Sequence, residues 1–262
     1  MPDRDASDLL PAIAASAQEA GALAMRRWDE GFETWDKAPG HPVCAVDLEV
    51  DALLKARLAA IDPDAAWLSE ETVDDPVRLG KRRLWVVDPI DGTRDYIRRR
   101  IGWCVSVALV EDGRPVAAVL AAPARDELWS AALGGGAVRN GVALTVSART
   151  ELAGSRAPTD SLPREDRDLL AVAKPNSIAL RMAMVAAGEA DLLATLRWGN
   201  EWDIAAAVLI AQEAGATVTD AFGGRLDFNT VGAKAFGVLA TAPGIHAAAV
   251  ERLAERAARA AG

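Results

Sequence analysis

Apolar residues recur along the chain with two different periods, and the switches between them set out the expected elements. From Ser7 to Trp28, Leu10, Ile13, Ala17, Ala20 and Ala24 fall on one helical stripe. Asp47 to Ala60 repeats the pattern through Val50, Leu53, Leu54 and Leu58, and an Ile-Asp-Pro-Asp stretch ends it. Residues 65–68 and 84–88 are apolar runs too short for helices and read as strands. Residues 103–123 hold two β-rich runs around Asp112-Gly113-Arg114, a strong hairpin signal. Short β pieces separated by glycine turns continue to Ser147.

The texture changes near residue 150. Residues 151–166 are polar and carry Pro158 and Pro163, which marks the expected boundary between an N-terminal α+β domain (1–150) and a C-terminal α/β domain (151–262). Beyond it, helical stretches at 177–190 and 203–215 alternate with strand candidates at 190–196, 216–220 and 236–240. A helix from Ile245 closes the chain, and no internal repeat is present. The expected class is a mixed α+β and α/β protein with helices over a largely antiparallel first sheet.

Composition narrows the functions open to such a chain. Half of its 262 residues are apolar, which suits a packed core. A formal charge of -9 argues against a nucleic-acid polymer as partner. An acidic protein that binds phosphate then needs metal ions or aimed N–H groups at the site. Cys44 and Cys104 stand far apart without a CxxC pairing and are expected to be reduced. The first residues lack a signal-peptide pattern and no apolar run is long enough to span a membrane, so a soluble cytoplasmic protein is expected.

Candidate chemistry concentrates at Asp88-Pro89-Ile90-Asp91-Gly92-Thr93, where an apolar strand gives out. Two carboxylates at a buried strand end repel unless a cation or donor neutralises them. Proline stiffens the backbone after Asp88, and glycine permits a tight turn after Asp91. Both carboxylates and the Ile90 carbonyl could then serve a hard cation such as Mg²⁺. If a helix opens at Thr93, the N–H groups of Gly92 and Thr93 form a phosphate cradle. A capped turn explains the same letters. A covalent aspartyl phosphatase of the haloacid dehalogenase type does not, because Pro89 stands where its nucleophilic aspartate would be.

Three further segments read individually as a solvated loop or helix caps: Ser69-Glu70-Glu71-Thr72, Trp202-Asp203-Ile204-Ala205-Ala206, and Pro42-Val43-Cys44-Ala45-Val46-Asp47. Together, and in this order with W-V-V-D-P-I-D-G-T at 85–93, they resemble the inositol monophosphatase superfamily of metal-dependent, lithium-sensitive phosphatases. The resemblance runs from Asp47 to about residue 240 and implies a layered α-β-α-β-α fold.

It also implies roles. Glu70, Asp88 and the Ile90 carbonyl would bind a first Mg²⁺, and Asp88, Asp91 and Asp203 a second, with a third weaker metal leaning on Glu70. Thr93 and Glu70 would orient the attacking water, with Asp47 holding the Thr93 hydroxyl, and the N–H groups of Gly92 and Thr93 would bind phosphate. Two metals would stabilise the attacking and leaving oxygens of an in-line displacement. Neither His41 nor His246 is needed, and no G-x-S-x-G elbow or P-loop lysine is present.

The chain departs from the family pattern at Cys44, where threonine is usual, at Val46 in place of alanine, and at His41 in place of aspartate. A thiol is a poor hydrogen-bond partner, so the loop around 36–44 and the third metal are expected to be held differently. Substrate choice rests on other positions. Leu196 stands where inositol monophosphatases carry a glutamate for an inositol hydroxyl. The run from Arg94 to Arg99 and the segment around Arg181 are more like the bacterial 3'(2'),5'-bisphosphate nucleotidases. Arg94, Arg181 and Glu201 are the positions expected to select the substrate; an arginine at 181 would meet a second phosphate or else snorkel at the surface. The alternatives are an inositol, sugar or histidinol phosphatase, and a catalytically silent binding protein. Relatives of this kind are often homodimers.

Overall fold

The computed structural model describes residues 5–38 and 41–262, with the side chains of 36–43 excepted. Expectations about the His41 side chain and most of the loop around 36–44 therefore lie outside the described residues.

The chain opens with α1 (Ala6–Glu30), the hairpin β1 (Thr34–Ala38) and β2 (His41–Cys44), and α2 (Ala45–Ile61). Asp5 caps α1 by accepting from the Ser7 N–H. A seven-stranded sheet follows, built from β3 (Ala66–Ser69), β4 (Arg83–Asp91), β5 (Cys104–Glu111), β6 (Arg114–Ala122), β7 (Glu127–Ala132), β8 (Ala137–Arg139) and β9 (Val142–Ala143) in that spatial order. Only β3 and β4 run parallel; every other neighbouring pair is antiparallel. The short helix α3 (Thr93–Ile97) leaves the end of β4. Asp112 and Gly113 both take positive φ in the β5–β6 turn, as the sequence signal requires.

The polar stretch after residue 150 contains a small parallel pair, β10 (Arg156–Pro158) with β11 (Leu170–Val172). Then come α4 (Ile178–Ala186), β12 (Leu192–Asn200), α5 (Ala205–Glu213), β13 (Thr217–Thr219), β14 (Lys234–Thr241) and α6 (His246–Ala261). The last three strands form a second sheet in the order β12-β14-β13.

Burial arranges these parts in five layers. Trp85 and Val87 of β4 face α1 and α2, packing with Ile13, Val50 and Leu54. Leu84 and Val86 face the other way, towards Met182 and Val185 of α4 and Leu209 and Ile210 of α5. With both faces covered, β4 has to be apolar throughout, which explains its unbroken Leu-Trp-Val-Val run. Leu193, Val218 and Ala240 of the second sheet close over the same helices, while Leu192 and Leu239 turn outward onto Ala249 and Leu253 of α6. The expected α-β-α-β-α order is present, and the core between the two sheets draws residues from both sides of position 150. Both cysteines are buried and free. No helix among the described residues is long and apolar enough to cross a membrane.

Candidate active site

The site lies where β3 and β4 end side by side. In a regular strand, residues three apart point to opposite faces. In β4 they do not, because Asp88 pairs with Ser106 and Asp91 with Cys104: three steps on one strand answer two on the other. The surplus residue is a β-bulge at Pro89-Ile90, where proline has no N–H to offer the ladder. The bulge returns Asp91 to the face that Asp88 occupies. Both carboxylates are almost fully buried, at 2% and 7% exposure.

Their partners differ. An Asp88 oxygen accepts the Ile90 N–H at 3.0 Å. Asp91 sits over the start of α4, accepting the Ser177 hydroxyl at 2.5 Å, the Ala179 N–H at 2.8 Å and the Ile178 N–H at 3.4 Å. Asp203, at the turn between β12 and α5, accepts the Asn200 N–H at 3.1 Å. Burial raises the Asp88 carboxyl well above the usual range, and the charges of Glu70, Asp91, Asp203 and Asp47 push it further. Burial likewise lifts Asp91, against the pull of its three donors. Burial and then Asp91 hold Asp203 at about 7. Among the described residues no ion pair reaches Asp88, Asp91 or Asp203.

Glu70 follows β3, its N–H bonded to the Val87 carbonyl at 3.3 Å and its side chain exposed. The charge coupling brings Glu70, Asp88, Asp91 and Asp203 into one electrostatic cluster, although no three Asp, Glu, His or Cys side chains among the described residues converge closely enough to enclose an ion as placed. The four carboxylates are hard-oxygen donors of the kind that suits Mg²⁺. Their mutual repulsion, and the absence among the described residues of an ion pair to Asp88, Asp91 or Asp203, are what a divalent cation would relieve.

Thr93 lies 3.0 Å from the Ile90 carbonyl and 3.4 Å from Asp47. A hydroxyl carries one proton, so it donates to one of them at a time, and the shorter contact is to Ile90. Asp47, in the first turn of α2, also accepts the Cys44 N–H at 2.8 Å. Gly92 takes a φ of 98°, and a Cβ there would sit 2.7 Å from the Gly102 carbonyl oxygen. Glycine is thus required by both conformation and space. The first N–H groups of α3 have no intrahelical acceptor, which leaves those of Gly92 and Thr93 for a ligand.

The three substrate-selecting positions separate. Arg94 is exposed on α3. Arg181 donates to the Pro175 and Asn176 carbonyls, both at 2.8 Å, and so staples the segment that precedes α4. It also lines a cavity of about 260 Å³ between β12 and α6, which includes Leu196 but none of the clustered carboxylates. Glu201 is fully buried, with its oxygens taken by the Asn229 N–H at 2.7 Å, the Thr230 N–H at 2.8 Å and the Thr230 hydroxyl at 2.5 Å. It holds a loop and offers no free oxygen to a substrate. His246 contacts Thr219 and Thr241 at the start of α6, away from the cluster.

A residue that the sequence reading passed over stands one turn after Asp47. Asp51 is buried and accepts the Ser69 and Thr72 hydroxyls, the residues flanking Glu70 and Glu71. α2 thus anchors Thr93 through one acid and the Glu70 loop through the next. The only signal for this was the four-residue spacing, which puts both acids on one helical face.

A model of the inositol monophosphatase family matches residues 5–261. The chain belongs to that family. The family's enzymes are metal-dependent phosphatases that hydrolyse phosphoric monoesters. The chain is 32% identical over 232 residues to the 3'(2'),5'-bisphosphate nucleotidase CysQ of Escherichia coli K12, covering 84% of this chain and 94% of that one. It is 37% identical over 222 residues to the Nus factor SuhB of Xylella fastidiosa, covering 78% and 79%. Among solved structures, the inositol monophosphatase of Thermotoga maritima superposes with a TM-score of 0.83 at 28% identity, over 97% of this chain and 99% of that one.

Proposed function

We propose that the chain is a Mg²⁺-dependent phosphomonoesterase acting on a nucleotide 3'(2'),5'-bisphosphate, with 3'-phosphoadenosine 5'-phosphate as the favoured substrate. The observation that carries the phosphatase chemistry is the buried cluster of Asp88, Asp91 and Asp203, which no ion pair reaches among the described residues. Glu70, Asp88, the Ile90 carbonyl, Asp91 and Asp203 would hold the metal. When bound, Mg²⁺ polarises the phosphoryl group and brings the pKa of water towards neutrality. The N–H groups of Gly92 and Thr93 receive phosphate oxygens. With its proton directed to Asp47, the Thr93 hydroxyl offers a lone pair to the attacking water, and Glu70 accepts that water's other proton. Attack in line with the ester oxygen forms the new P–O bond as the ester P–O bond breaks, and the departing alkoxide takes a proton from solvent water to leave as the alcohol.

The substrate reading is supported by the end of β12. Arg197 is exposed, makes no ion pair among the described residues, and draws down the carboxyl of Asp203 by its charge. Trp198 beside it is 58% exposed and edged against Phe236 at 5.5 Å. A free guanidinium next to the metal cluster suits a second phosphate, and an exposed indole suits a base. Arg197 takes over the part that Arg181 cannot play while it holds two carbonyls. The extent of the likeness to CysQ points the same way. The likeness to an inositol monophosphatase structure favours a second reading, an inositol or sugar phosphatase.

A phosphate-release panel separates them: 3'-phosphoadenosine 5'-phosphate, inositol 1-phosphate, fructose 1,6-bisphosphate and histidinol phosphate, each with Mg²⁺ and again with a chelator. The expected result is fastest release from the nucleotide, abolished by the chelator, restored by Mg²⁺ and inhibited by lithium. A higher kcat/KM on an inositol or sugar ester replaces the nucleotide reading with the second one. Folded protein that releases phosphate from no ester under Mg²⁺ would mark a binding protein.

A further inference from the structure

The ends of the carboxylate cluster belong to different parts of the chain: Glu70 follows β3 in the first sheet, and Asp203 follows β12 in the second. One buried network joins them. Arg78 lies in a short turn after the Glu70 loop and is 2% exposed. Its guanidinium donates to both Asp74 oxygens at 2.6 and 2.9 Å, to the Asn229 side-chain oxygen at 2.8 Å and to the Thr230 carbonyl at 2.9 Å. Asn229 returns a bond from its amide to the Arg78 carbonyl at 3.0 Å. The N–H groups of the same two residues, 229 and 230, are held by Glu201, two positions before Asp203. Glu201 also bonds the Ala233 carbonyl through its own N–H at 2.9 Å.

Every link is direct, and Arg78 and Glu201 are removed from water, while Asp74 stays partly exposed at the rim. A buried guanidinium with four acceptors and a buried carboxylate with three donors are costly to break singly, since each would leave its partners unsatisfied. Residues 229 and 230 therefore act as a strap that fixes the Glu70 loop against the Asp203 turn. Asn229 sits at a φ of 60°, a conformation that asparagine adopts more readily than most residues, which lets successive N–H groups of the strap meet Glu201.

We propose that Arg78 and Glu201 are positioning residues that set the separation of Glu70 and Asp203 across the cluster through the 229–230 strap, and so set the affinity for the divalent cation. The inference rests on the reading of Glu70 and Asp203 as cation ligands. Groups that orient metal ligands typically influence metal affinity by about 10–100-fold.

The test titrates Mg²⁺ into wild type, Arg78→Lys, Thr230→Val and Thr230→Ser, following both phosphate release and the rise in Tm with Mg²⁺. Arg78→Lys keeps the charge but cannot reach four acceptors. Thr230→Val removes the hydroxyl, which donates to Glu201 at 2.5 Å and lies 3.5 Å from the Lys234 carbonyl, and Thr230→Ser restores it. Arg78→Lys and Thr230→Val are expected to need about tenfold more Mg²⁺ in both measurements. KM for the ester at saturating Mg²⁺ should stay unchanged, and Thr230→Ser should match wild type. Variants with a lower Tm but an unaltered Mg²⁺ response would overturn the proposal. If Arg78→Lys fails to fold, Thr230→Val decides alone. A wild type showing neither Mg²⁺ activation nor a Mg²⁺-dependent Tm removes the metal reading itself, and the strap's role with it.

Discussion

Replacing Asp191 with asparagine should destabilise the protein by an amount that shrinks in acid. The side chain is 2% exposed at the start of β12. It accepts the Ser147 hydroxyl at 2.7 Å, the Arg156 N–H at 2.7 Å and two guanidinium donors of Arg156 at 2.8 and 3.0 Å. Burial alone would raise its carboxyl, but the bonds from Arg156 and Ser147 prevail and hold it at about 2, against 3.8 for the open chain. A folded-state value below the unfolded one stabilises above the unfolded pKa, and the contribution is lost as pH falls through the folded one. At about 1.36 kcal/mol per tenfold change in proton affinity, the gain is about 2.4 kcal/mol at pH 7 and about 1.3 kcal/mol at pH 3. The amide in Asp191→Asn also turns a donor towards the Arg156 donors. Urea titrations of both proteins at pH 7 and pH 3 should show the stability gap narrowing by about 1 kcal/mol on acidification. An equal gap at both pH values would refute the assignment of the carboxylate charge to this tie.

Asp91→Asn should fold, since the amide oxygen can still accept from the start of α4, but its phosphate release should fall by at least about 100-fold, as read by a malachite green assay. Undiminished turnover would remove Asp91 from the metal cluster. Gly92→Ala should lower stability by about 1–3 kcal/mol from backbone strain, because its φ of 98° and its 2.7 Å approach to the Gly102 carbonyl leave no room for a methyl group. Thermal unfolding checks that, and a parallel loss of activity would tie the turn to the phosphate cradle.

How much was legible depended on how local each cause was. The helical stripes of α1 and α2, the doubly buried β4 and the Asp-Gly hairpin announce themselves within a few residues, and all are present. The hairpin β1–β2 and the pair β10–β11 were not anticipated. They lie in polar, proline-bearing segments whose strands form by pairing and carry little apolar pattern. The strand candidate at 190–196 extends to Asn200, because β14 offers partners as far as Lys234. Among the site residues, Asp88, Asp91 and Asp203 stood in recognisable motifs. Glu201 drew attention beside Asp203, yet its function is fixed by backbone groups at 229 and 230. Asp51 was marked only by its four-residue spacing from Asp47, and Arg78 stood out in no motif, with partners about 150 positions away.

The bulge in β4 ties the placement of the two acids to a count of residues. Because one surplus residue lets acids three apart share a face, the spacing of Asp88 and Asp91 and the bulge have to be kept together. A one-residue deletion between them would straighten the strand: both acids would still share a face, but the turn in which the Ile90 N–H meets Asp88 and the Ile90 carbonyl meets Thr93 would be lost. Substitutions around Ile90 can be graded in their effects, whereas changes of length cannot. Homologous chains that share this chemistry should therefore vary in sequence here long before they vary in length.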